Sequence, residues 1–112
     1  MAFQINTGRP IAQFRKPIPD EPYKKWIRLQ RCVVCCTRWN VEAAHTRQDG
    51  QGGLATKTDD ATCIPLCGSC HRTGRFAYHS PEFGGDEAKW AEHHNLKLDE
   101  IKADLRERYV RQ

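Results

Sequence analysis

Two Cys-x-x-Cys pairs constrain this chain more than anything else in it. Cys32 and Cys35 lie in "RCVVCC" and Cys67 and Cys70 in "LCGSCH", with 31 residues between the pairs. A two-residue spacer around a tight turn lets both sulfurs face one ion. Two such knuckles supply the four ligands that zinc takes in a closed tetrahedral site. Four thiolates leave no position for water, so such a site holds a fold together without activating anything. Cys36 is an alternative to Cys35 at a less common spacing, and Cys63 reads as a small buried hydrophobe. Six cysteines could also make three disulfides or a thiol redox pair. The sequence shows no secretory apolar segment and no long apolar run, so the expectation is a cytoplasmic protein with metal-ligating cysteines.

The remaining bulk properties fit a chain that leans on a staple. It has 112 residues, of which 38% are hydrophobic, enough for one small domain with a thin core. Its net charge is +4, unevenly spread. Residues 1–48 carry nine basic and three acidic side chains; residues 49–112 carry nine and eleven. A basic first half suits a polyanion, nucleic acid above all, although a solvated basic surface has the same composition.

Residues 1–19, with three prolines and three basic residues, read as an extended basic arm. The remainder, 20–112, reads as one domain. In "DEPYKKWIRLQ", Asp20 can cap a helix and Pro22 fits its first turn. Tyr23, Trp26 and Ile27 share one face, expected to be core, opposite Lys24, Lys25 and Arg28. "WNVEAAHT" and "ATCIPLC" read as strands separated by the Gly-rich loop "QDGQGGLATKTDD". "SCHRTGRFAYH" is expected to open a helix. Asp86 caps "EAKWAEHHN", where His93 and His94 are expected to be exposed. Asp99 starts "EIKADLRERYV", with Ile101 and Leu105 on one face.

The order of "CVVC", "EAAHTR", "GGLATKTDD", "IPLCGSCH" and a downstream His79 resembles the ββα-metal finger of HNH endonucleases, in particular small phage-type members with a four-cysteine zinc. The resemblance covers Cys32 to about His79. It implies an α+β fold built on that finger and flanked by helices. It also implies hydrolysis of DNA phosphodiester bonds by a Mg²⁺- or Mn²⁺-dependent site. By position, His45 corresponds to the general base and His71 to a ligand of the catalytic metal. Thr62 stands where the family carries the asparagine that braces the loop. Ala44 stands where many members carry an acidic ligand. Glu42, two residues back on the same strand face, can supply that carboxylate, with Asp59, Asp60 and His79 as further candidates. From His71, His79 is eight residues on, a helical offset that keeps the two on one face.

The chemistry asks for these residue types. A neutral imidazole near pH 7 can take a proton from water, and an open divalent site can hold phosphate oxygens and waters. One site per chain cuts one strand, so a monomer nicks and a homodimer can cut both. Arg15, Lys16, Lys24, Lys25, Arg28, Arg38 and Arg47 are the expected phosphate contacts. The competing expectation is a zinc-ribbon nucleic-acid-binding protein without catalysis, in which the histidines are structural.

Overall fold

A computed structural model describes residues 20–46 and 60–112. The arm at 1–19, most of the Gly-rich loop, Asp59, Arg15, Lys16 and Arg47 lie outside the described residues. The first element is helix α1, Glu21–Arg28, capped by Asp20, whose Oδ1 accepts the Tyr23 N–H at 3.1 Å. Pro22 sits in the first turn, where its missing N–H costs nothing. Tyr23 and Ile27 are fully buried and Trp26 is half-buried against Tyr109. The apolar face of α1 is therefore core, as its spacing indicates.

Strands β1, Val41–Ala44, and β2, Ile64–Cys67, form a two-stranded antiparallel sheet with Val41 opposite Cys67 and Ala44 opposite Ile64. β2 tolerates Pro65 because the backbone of that residue faces away from β1. The Pro65 carbonyl accepts the Val33 N–H at 3.0 Å and ties the first knuckle to β2. A short 3₁₀ turn, Asp60–Thr62, leads into β2. Helix α2, Glu87–His93, is capped by Asp86. Helix α3, Leu98–Arg111, starts at Leu98, so Asp99 lies in its first turn and does not cap it. An acidic side chain is favourable there for the same dipole reason that favours acidic caps. Leu105 is buried and Ile101 half-buried on one face of α3, while Arg108–Asp104 and Arg111–Glu107 pair on its solvent side.

The core gathers Tyr23, Ile27, Ala44, Ile64, Leu66, Trp90, Leu98 and Leu105 from the helices and both strands, with Cys63 just before β2. Each fully buried aliphatic side chain stabilises by about 1.5–3 kcal/mol, and few are present. Among the described residues no helix is long and apolar enough to cross a membrane.

The element after the second cysteine pair departs from expectation. In place of an α-helix, Ser69–Thr73 make a single π-helical turn, which Gly74 closes by donating its N–H to the Ser69 carbonyl at 2.8 Å. A Cβ at position 74 would lie 2.7 Å from that same carbonyl oxygen, so glycine is required and the helix stops. The chain then reverses: Tyr78 N–H bonds to the Cys70 carbonyl and His79 N–H to the His71 carbonyl.

Candidate metal centre and histidine pair

The four sulfurs of Cys32, Cys35, Cys67 and Cys70 lie within 4.8 Å of one another. Cys35 Sγ and Cys67 Sγ are 3.7 Å apart. Zinc–sulfur bonds of about 2.3 Å in a tetrahedron set sulfurs about 3.8 Å apart. The cluster can therefore hold one metal ion, and no cysteine is in a disulfide. Cys36 takes a left-handed backbone, φ 66°, and is exposed outside the cluster. Cys35 is thus the second residue of the first knuckle. Turn hydrogen bonds from Cys36 N–H to the Cys32 carbonyl and from Cys32 N–H to the Thr37 carbonyl fix that knuckle. Cys63 is fully buried, and burial pushes its thiol up to about 12, as for a neutral hydrophobe.

His45 follows β1 directly and its side chain is 41% exposed. Its Nε2 lies 2.8 Å from Asp60 Oδ1. Asp60 is buried and also accepts the Asp20 N–H at 2.7 Å through Oδ2, with Lys24 Nζ at 3.6 Å. Burial works to raise the Asp60 pKa, but the bonds from His45 and the Asp20 amide, with the Lys24 charge, bring it below the usual range. Asp60 is therefore an anion that only accepts. The proton between it and His45 sits on Nε2, and a neutral ring keeps its lone pair on Nδ1. Cys63 completes a group of three with these two side chains, but as a protonated thiol it is a poor ligand.

Thr46, next along, is fully buried. Its hydroxyl donates to the Thr62 carbonyl at 2.9 Å and accepts from Lys102 Nζ of α3 at 2.8 Å. The strap between the strand end and position 62 thus runs through the Thr62 backbone.

On the other knuckle, His71 Nδ1 lies 2.7 Å from Glu42 Oε1. Arg72 grips the same carboxylate with a fork, Nε to Oε1 and Nη2 to Oε2. The Arg72 hydrogen bond leads in holding Glu42 below the usual carboxylate range, with His71 adding to it against burial. Glu42 is hence an acceptor for His71 Nδ1–H, which leaves Nε2 as the ring's lone pair. His79 stands beside His71 with ring centroids 4.9 Å apart. The two are neighbours because the chain turns back after Gly74, not because of a helical offset. Glu42, His71 and His79 do not converge as a group of three ligand atoms; among the described residues only the four cysteines and the His45–Asp60–Cys63 set do so.

Of the expected phosphate contacts, Lys24 pairs with Glu21 at 3.0 Å and Arg28 with Glu21 at 3.8 Å. Lys25 and Arg38 are exposed.

The profile of the family described as "Protein of unknown function (DUF968)" matches residues 1–108. The chain belongs to the DUF968 family. An Escherichia coli (strain K12) relative, "Uncharacterized protein YdfU", is 37% identical over 51 residues, which is 46% of this chain. That match covers 14% of the relative, so this chain spans a small part of its length. No solved structure matches.

Sequence reasoning about this DUF968 chain singled out Asp60 only as one of several carboxylates, and it missed Arg72, Thr46 and Lys102. Arg72 had a signal: it adjoins His71 in a knuckle that must face the strand carrying Glu42. Lys102 had none, because 56 residues separate it from Thr46. His94 also departs from expectation. It is half-buried and donates Nε2–H to the Phe76 carbonyl at 2.8 Å, while His93 stays exposed and stacks on Phe76.

Proposed function

We propose that this chain is a metal-dependent endonuclease of the HNH type, hydrolysing phosphodiester bonds of nucleic acid, DNA foremost. The observation that carries the reading is the His45–Asp60 pair: a half-exposed imidazole held through Nε2 by a buried carboxylate at 2.8 Å. That arrangement fixes the tautomer in which Nδ1 can take a proton from water attacking phosphorus. It has the form of a base with its orienting group, built at the end of a strand that the cysteine cluster anchors.

The cysteine cluster fits structural Zn²⁺, whose binding is linked to folding in small domains. For a catalytic Mg²⁺ or Mn²⁺, His71 Nε2 and His79 are the residues that would hold it. Glu42 stands behind His71 as the carboxylate that orients a ligating imidazole. Its Oε1 accepts from His71 and Arg72 and its Oε2 from Arg72, so Glu42 orients His71 and keeps only Oε2 capacity to offer an ion directly. Such an ion supplies charge neutralisation at the reacting phosphate. One site per chain nicks one strand.

The Arg72 fork on Glu42 favours a second reading, a zinc-ribbon nucleic-acid-binding protein without catalysis, since it engages the expected carboxylate ligand in an ion pair. Nicking of supercoiled plasmid against added Mg²⁺ or Mn²⁺ separates the two. The nuclease reading expects metal-dependent nicking. It also expects His71→Ala to need more Mn²⁺ while retaining one zinc per chain. Binding without nicking at any metal concentration overturns it in favour of the second reading.

A further inference from the structure

Trp39 is 83% exposed, the largest exposure among the big hydrophobic side chains described. The other two tryptophans are used by the fold: Trp90 is fully buried and Trp26 packs against the core. A solvent-facing indole of this size contributes nothing to the core, yet its backbone is tightly held. Its N–H bonds to Thr37 Oγ1 at 3.1 Å, Thr37 in turn holds the Cys32 N–H, and the next residue, Asn40, accepts the Gly68 N–H at 3.1 Å. Asn40 takes a left-handed backbone, φ 56°, that turns the chain into β1. The indole is thus displayed on a turn strapped to both knuckles of the cysteine cluster.

The turn carries two arginines, Arg31 and Arg38, which line a cleft shared with Glu100, Asp104 and Arg108 of α3. Arg38 precedes Trp39 and is exposed; Arg31 bonds the Cys36 carbonyl, a neutral partner that leaves its charge uncancelled. Neither has a carboxylate within ion-pair distance among the described residues. On the far side, the Asn40 amide, the Glu42 carboxylate and the Arg72 guanidinium lie 2.7, 3.7 and 3.8 Å from the point where a Gly68 Cβ would stand. The turn therefore borders the Glu42–His71–Arg72 cluster.

We propose that Trp39 is a stacking platform for an unpaired nucleic-acid base, with Arg31 and Arg38 contacting the adjoining phosphates. This rests on the nucleic-acid reading given above and adds to it a preference for unpaired substrate. A flat aromatic face accepts any base, and guanidinium charges beside it suit the backbone. A rigid display surface loses little entropy on binding. Two guanidiniums with no carboxylate at ion-pair distance favour a polyanionic occupant over an apolar protein face, which would bury them unpaired.

The test uses the zinc-loaded chain and a short fluorescein-labelled oligothymidylate, read by anisotropy and by tryptophan emission. Wild type should bind with quenching. Trp39→Ala should weaken binding about tenfold, a typical cost for one lost base stack. Trp39→Phe should keep most of the affinity and lose the quenching. The salt slope should stay unchanged in both, because stacking releases no counterions. An exposed side chain makes loss of folding a remote complication, and the phenylalanine variant controls for it. Equal affinity of wild type and Trp39→Ala, with plasmid nicking intact, overturns this inference and leaves the nuclease reading standing. A Trp39→Ala change that alters self-association but not oligonucleotide affinity assigns the surface to a protein partner and overturns it too. Failure of wild type both to bind and to nick removes both readings.

Discussion

Replacing Asp60 with alanine strikes three contacts together. The carboxylate is buried, 11% exposed at its side chain, and accepts from the Asp20 amide at 2.7 Å and from His45 at 2.8 Å, with Lys24 at 3.6 Å. Hydrogen bonds to a charged group are worth about 1.5–3 kcal/mol each, and an orphaned amide costs about 1–3 kcal/mol. Lys24 keeps its partner Glu21. The net loss for Asp60→Ala is then about 3 kcal/mol, consistent with breaking a buried ionic contact. For a domain of this size that lowers Tm by roughly 15 °C. Asp60→Asn retains an acceptor and loses the charge, so it should fall by roughly half as much. The sign with pH follows from the depressed pKa. The Asp60 contribution is complete above the unfolded-state value of about 3.9 and is lost as pH falls through the lower folded value. The gap between wild type and Asp60→Ala should therefore be constant from neutral pH down to about pH 5 and narrow below about pH 4, leaving the part due to the orphaned Asp20 amide. His45→Ala is the control: it leaves Asp60 bonded to the Asp20 amide and Lys24 and loses one half-exposed bond, so its Tm should fall by about half as much or less. Thermal unfolding of the zinc-loaded proteins by circular dichroism reads all of this. A Tm for Asp60→Ala within a few degrees of wild type, or a gap that widens in acid, refutes the reasoning.

Three further outcomes are expected. Cys32→Ser, or a strong chelator, should release the metal and abolish the cooperative thermal transition, since the four sulfurs tie the first knuckle to β2 and the π turn; a sharp transition in zinc-free protein contradicts this. Thr46→Val keeps the shape but breaks the bonds to the Thr62 carbonyl and to Lys102, and should cost about 2 kcal/mol in chemical denaturation; an unchanged midpoint excludes that strap as a stabilising contact. Nucleic-acid affinity should fall linearly on a log–log plot against salt, and a flat response argues against phosphate binding.

Much of this architecture was legible because it is local. The cap at Asp20 and the Tyr23–Ile27 face act within one helix turn. The cysteine pairs announce a shared ion by their own spacing, and β1 and β2 lie where the apolar residues flank those pairs. The nearness of His71 and His79 was also legible, but by the wrong route. The missing Cβ of Gly74 is what permits the Ser69 carbonyl to close a π turn and the chain to fold back. Partners set by tertiary packing were hidden. Glu42 meets Arg72 across 30 residues, and Asp60 reaches His45 only because the 3₁₀ turn before β2 seats it beneath the start of α1. No spacing rule links Lys102 to Thr46; that contact exists because α3 packs its buried face beside the strand ends.

The central claim is that His45 is a general base held by Asp60. Nicking rates of wild type and His45→Ala, compared on folded preparations of equal zinc content and DNA affinity, decide it. His45→Ala should bind zinc and DNA like wild type but nick about 10²–10⁴-fold more slowly, with a residual rate that climbs as hydroxide becomes abundant. Wild-type nicking by the His45→Ala protein would contradict it.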